Sequence, residues 1–162
     1  MVRVVFLESV KRFPRFYRRL REMVSVALKY FPELENETVY VGVDKYHDGR
    51  ADSLNNIVFF NPKKLTYVTI FHELMHLAVT VLRRKGVKVP DTEEYVSIAA
   101  MARMPPELVD ENSIPYIAYN IPSEVKNKIP ELCRQALEYR KQRRDYIKFL
   151  RRKIEDLSNA ET

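Results

Sequence analysis

Residues 65–86 of this 162-residue chain read LTYVTIFHELMHLAVTVLRRKG. Hydrophobic side chains point in nearly every direction of a helix drawn through them, from Val68, Ile70 and Phe71 to Val79, Val81 and Leu82. The helix they predict is therefore buried on most of its sides. Asn61 can cap it with Pro62 in the first turn, where the missing N–H costs nothing, and Thr66 offers an alternative cap one turn later. Gly86 suits its C-terminal stop, and Arg83, Arg84 and Lys85 suit the negative end of its dipole. Residues 65–82 approach the length of a membrane span, but His72, Glu73 and His76 near the centre make burial in lipid too costly. The expectation is a core helix over 62–86 and no transmembrane segment.

Within that helix the motif is HELMH. His72 and His76, four residues apart, stack on one face about a turn from each other, so both imidazoles can converge on one ion. Glu73 lies about 100° further round, beside that ion rather than on it. There its carboxylate can take a proton from an attacking water and pass it to a leaving amine. Zinc is the expected metal, because it brings the pKa of water down to roughly 7, and the chemistry implied is amide hydrolysis. The competing account is a core helix with two hydrogen-bonded histidines. Two of the chain's three histidines sit here, however, and three ionisable groups on one stripe of an apolar helix are each costly unless paired or bound to metal.

A catalytic zinc takes three protein ligands and keeps one position open. Acids on the next predicted helix are Glu93 and Glu94. The apolar stripe of that helix, Tyr95, Ile98, Ala99 and Ala102, puts Glu94 on its flank and Glu93 nearly opposite, so Glu94 is the expected third ligand and Glu93 the alternative. Ser97 is small, which suits close approach of one helix to another. Both acids also fit a first helical turn on dipole grounds alone.

Composition agrees with an ordinary globular chain: 46% of residues are hydrophobic and 31% charged, enough for one domain over 1–162 and too apolar for extended disorder. A net charge of +6 suits nucleic acid, anionic lipid or acidic substrates, though more often it serves solubility. The single cysteine, Cys133, excludes an intramolecular disulfide and a Cys-rich zinc site, and fits a reducing compartment. It is expected to be a small core residue. Glu8, Lys11 and Arg12 interrupt the N-terminal apolar stretch too early for a signal peptide, so a cytoplasmic protein is expected.

Around the central helix, Val10, Phe13, Tyr17, Leu20, Val24 and Leu28 recur at spacings of three and four, predicting an N-terminal helix within 1–37 that starts or kinks at Pro14 and ends at Pro32. A sheet region over 38–61 holds strands at 38–43 (TVYVGV) and 57–60 (IVFF), with 44–52 as a turn or hairpin loop between them. A second helix over 91–104 is capped by Asp91 or Thr92, and charged helices fill 123–158 with an interruption at Pro130. The fold class is α+β: a small mixed or antiparallel sheet with helices mainly on one side.

HELMH followed by a glutamate on the next helix resembles the gluzincins, zinc metallopeptidases with two motif histidines and a downstream glutamate. In size, in IVFFNP before the helix and in EEYVSIAAMARMP after it, the chain is most similar to the minigluzincins, and AAMARMP is similar to the end of the glutamate helix in ImmA/IrrE-type proteins. The similarity covers roughly residues 39–105. It implies a minimal zincin-like fold, a peptide or protein substrate, His72, His76 and Glu94 as zinc ligands, and Glu73 as general base. It further implies that the IVFF strand rims the cleft and pairs its exposed edge with an extended peptide, and that a terminal segment can block the cleft and leave the protein latent. Two departures stand out. The spacing from His76 to Glu94 is slightly shorter than in the large peptidases, and Ile98 stands where many gluzincins carry an Asp. Glu93, with Ser97 four residues on, remains the alternative ligand.

Weaker signals have plainer accounts. Tyr116, Tyr119 and His47 are candidate donors to a developing oxyanion, against packing for the tyrosines and a solvated turn for His47. Asp44, Asp48 and Asp52 lack the spacing of a calcium loop. The runs KRFPRFYRRLR (11–21) and YRKQRRDYIKFLRRK (139–153) interleave cations with aromatics, a pattern that grips phosphates and stacks bases but also marks the wet face of an amphipathic helix. They define a second class of function: a binding or regulatory module contacting nucleic acid or a protein partner, its metal purely structural or vestigial.

Overall fold

Arg3–Phe6 (RVVF) forms a strand, β1, where the sequence pattern predicts only the approach to a helix. Its β-branched run is too short to stand out beside the helical periodicity that follows. The computed structural model describes residues 1–160 and falls into two compact units, Met1–Asp91 and Thr92–Thr162.

In the first unit β1 leads into α1 (Glu8–Lys11) and α2 (Pro14–Leu28), then β2 (Thr38–Val43), β3 (Gly49–Asp52), β4 (Ile57–Phe60) and α3 (Tyr67–Arg84). Pro14 starts α2 at a position that has no helical N–H to lose. The sheet order is β1-β2-β4-β3. β2 runs parallel to both β1 and β4, while β3 runs antiparallel to β4. The stretch expected to be a hairpin loop therefore contains a strand. The strands on either side of it are parallel neighbours, because the intervening chain passes beyond β4 and returns, and β3 takes the outer place. GRAD has no alternating apolar pattern to announce it.

Val39, Val41, Val58 and Phe60 are fully buried on one face of this sheet. α3 covers that face, with Phe71 packed against Phe31 (ring centroids 5.5 Å) and Tyr30 (5.7 Å) from the end of the N-terminal segment. α2 joins it there, Tyr17 meeting Phe6 edge-on at 5.2 Å. Helices thus cover mainly one side, as an α+β pattern requires. Thr66 is the cap of α3, its side chain accepting from the Thr69 N–H. Asn61 instead accepts from the Lys63 N–H and donates to the His47 carbonyl. At the far end Gly86 takes φ +87°, while Val87 N–H reaches the Leu82 carbonyl at 2.9 Å and Gly86 N–H the Arg83 carbonyl at 3.0 Å. This is a Schellman stop, placed where the glycine predicts it.

The second unit is helical: α4 (Glu93–Arg103), α5 (Ser123–Lys126), α6 (Ile129–Arg140) and α7 (Tyr146–Ala160). α6 packs on both α4 and α7. Arg134 donates to the Ala102 carbonyl (3.0 Å), Arg140 lies over the Tyr95 ring (5.1 Å), and Tyr139 stacks on Phe149 (4.2 Å). Pro130 sits in the first turn of α6, directly after the break that separates α5 from α6 where an interruption is expected, and a second break follows Arg140. Cys133 is fully buried, and burial pushes its thiol pKa far up, consistent with a small core residue. No described helix is long and apolar enough to cross a membrane.

Candidate metal site

The capped, nearly all-apolar α3 brings His72, Glu73 and His76 together. One ligand atom from each lies within 4.8 Å of the others, and this cluster can hold a metal ion. The two imidazole rings stand 5.0 Å apart at 74°, the arrangement that a four-residue helical spacing dictates. His72 and Glu73 are buried, with 5% and 7% of their surfaces exposed, and His76 is half-buried. One turn further on, Thr80 ties its hydroxyl to the His76 carbonyl at 3.2 Å. Two imidazole nitrogens with a carboxylate beside them form a group able to hold a metal ion.

Sequence inspection missed the partner that closes this site on one side. Gly49, first residue of β3, lies so close to α3 that a methyl group on it would stand 2.8 Å from Glu73 Oε2 and 2.6 Å from Thr69 Cγ2. An edge strand therefore runs directly past the acid of the motif. The available signal was a glycine in a chain with only three, since glycine within a strand often marks close backbone approach. The expected exposed edge of IVFF is corrected here: β4 is paired on both sides, by β2 and β3, and the edge belongs to β3.

Glu93 and Glu94 open α4 in the second unit, behind a Thr92 cap that accepts from the Tyr95 N–H. The expected contrast in their burial is absent, because both are half-buried. Glu94 adds slightly to a raised Tyr146 pKa, whose main cause is burial of that phenol, with Arg140 opposing. Ser97 is completely buried and its hydroxyl makes no hydrogen bond among the described residues. Tyr116 and Tyr119 are exposed, and the Tyr119 hydroxyl accepts from the Tyr116 N–H at 2.9 Å, where Tyr116 adopts φ +67°. Both serve this loop.

His47 is tied into a turn centred on Asp44, a buried carboxylate that accepts from the Tyr46 and His47 N–H groups, the His47 ring and Arg50. The Tyr46 N–H leads these bonds in holding the Asp44 carboxyl well below its ordinary range, although burial opposes them. Asp48 pairs with Lys64, so the three aspartates of this region form no common site. No known family model, curated protein or solved structure matches the chain.

Proposed function

We propose that the chain is a zinc-dependent metallopeptidase. The observation carrying this reading is the buried His72–Glu73–His76 cluster on α3, with the β3 backbone against Glu73. His72 and His76 hold the ion, which when bound supplies a Lewis acid that polarises a carbonyl and makes water more acidic. Glu73 takes the proton from the attacking water and delivers it to the departing amine. Its burial keeps the carboxylate out of bulk solvent, where a positioned base is most effective. The outer edge of β3 offers unpaired backbone groups to an extended peptide, by strand addition, and sets the scissile bond beside Glu73. The resemblance to gluzincins assigns the third ligand to Glu94, and a cytoplasmic setting fits the single buried cysteine.

Elemental analysis of purified protein, followed by a broad peptide-cleavage screen, tests this. Zinc should be present at about one ion per chain, and Glu73→Gln should keep the metal while hydrolysis falls by about 10²–10⁴-fold. Full hydrolysis by that variant removes the mechanism. His72→Ala and His76→Ala should each lose metal, and Glu94→Ala compared with Glu93→Ala decides the third ligand by metal content. Running the screen on the full chain and on a chain shortened after Ser158 tests latency.

A further inference from the structure

The strongest feature outside the histidine cluster is a pair of clefts in the first unit. One, of about 660 Å³, lies between the α1–α2 corner and the loop after β2; the other, of about 630 Å³, runs along the start of α2 to Pro62. Both are lined by Arg12 and Phe13, so they meet there. Their walls come from the segments that follow β1, β2 and β4, the carboxyl ends of the three parallel strands, where open sheets commonly bind ligands.

The walls are cationic. Arg12, Arg15 and Lys45 have no carboxylate partner among the described residues, and Lys45 holds its ammonium 5.7 Å from the Phe13 ring. Asp44 is the one acid lining either cleft among the described residues, and its charge is matched by Arg50 and the turn N–H groups. The 15-residue α2 adds the positive end of its dipole, for its N-cap position is Phe13, which has no side-chain acceptor to offer. Aromatic rings are interleaved with these charges: Phe13 is 38% exposed and Tyr46 93% exposed.

We propose that this groove binds single-stranded nucleic acid. Phosphates meet Arg12, Arg15 and Lys45, and bases stack on Phe13 and Tyr46. An acidic peptide would satisfy the cations alone and leave the rings without a role, and a membrane, though it accommodates aromatic rings, presents a broad surface to what are concave clefts, whereas stacking gives every base a partner irrespective of sequence. A flexible single strand can also enter concave clefts that a stiff duplex cannot.

The test is fluorescence anisotropy of a labelled 12-nucleotide oligo(dT) with the full chain across a salt series. Three neutralised phosphates predict log affinity falling against log salt with a slope of about −2. Arg12→Glu with Lys45→Glu should weaken binding at least about tenfold, and the Arg12→Lys control should retain both affinity and slope. Phe13→Ala should lose about tenfold through stacking while leaving the slope unchanged. All three substituted residues, Arg12, Phe13 and Lys45, are exposed, and circular dichroism of each variant checks folding. Metal content and peptide cleavage do not enter the readout, so the result stands apart from the peptidase reading. Absence of saturable binding at low salt, wild-type affinity in the charge-reversal variant, or equal competition by polyglutamate or phosphatidylserine vesicles would overturn the proposal.

Discussion

Gly49→Ala probes the contact between the edge strand and the motif helix. The added methyl would stand 2.6 Å from Thr69 Cγ2, 2.8 Å from Glu73 Oε2 and 3.0 Å from Glu73 Cγ. Carbon atoms pack best at about 3.5–4.0 Å, so β3 and α3 must separate by something near an ångström or two buried side chains must turn. Overpacking of this kind costs about 1–3 kcal/mol. Thr69→Ser deletes the nearest clashing atom while keeping the hydroxyl that accepts from Thr66. The double variant should then be more stable than the sum of the singles by about 1 kcal/mol, within the range of contacting pairs. Urea denaturation of the four proteins measures this from midpoints at a common m-value. Thr69→Ser leaves the clash with Glu73 in place, so on the proposed peptidase reading hydrolysis should be impaired in Gly49→Ala and stay impaired in the double variant even as stability returns. Additive effects, within about 0.5 kcal/mol, or wild-type stability of Gly49→Ala, would refute the claimed contact.

Two further outcomes follow from local geometry. Gly86→Ala meets no atom within 4 Å, so its cost is purely that of a φ of +87°, about 1–2 kcal/mol in thermal unfolding, with metal content unchanged. Asp44→Asn removes the charge from bonds with Arg50 and His47 and should cost about 2 kcal/mol at pH 7. Because the folded carboxyl of Asp44 lies well below its ordinary 3.8, the stabilisation is complete above that value and is lost as pH falls below it. Melting temperatures measured from pH 7 to pH 2 should show the gap between wild type and variant closing only at the acid end.

What could be read from the sequence was local. The C-terminal limit of α3 came from a glycine stop, its start is open in the sequence between Asn61 and Thr66 and falls at the threonine, and the histidine pair came from a spacing of four on one helix, so none of these needed knowledge of any other element. Strand pairing is different. TVYVGV and IVFF were visible as strands, but their parallel pairing depends on where the chain between them travels, and nothing in residues 44–56 encodes that by periodicity. GRAD is a strand only because β4 offers it an edge. The choice between Glu93 and Glu94 rests on similar grounds: helical angle predicts which side a residue faces, but burial depends on what the other elements put there, and both are half-buried.

The same distinction explains why the metal site carries more weight than the sheet in assigning function. A constellation held on a single rigid helix keeps its geometry even if the neighbouring strands were ordered differently, whereas a peptide-binding edge exists only in one topology. In this chain the outermost strand is the one whose glycine lies against Glu73, the motif acid. Burying His72 and Glu73, with His76 half-buried beside them, on a largely apolar helix opposes folding unless they are matched. On the proposed peptidase reading, the edge strand against the carboxylate supplies a chemical use for that arrangement that a purely structural helix would not need.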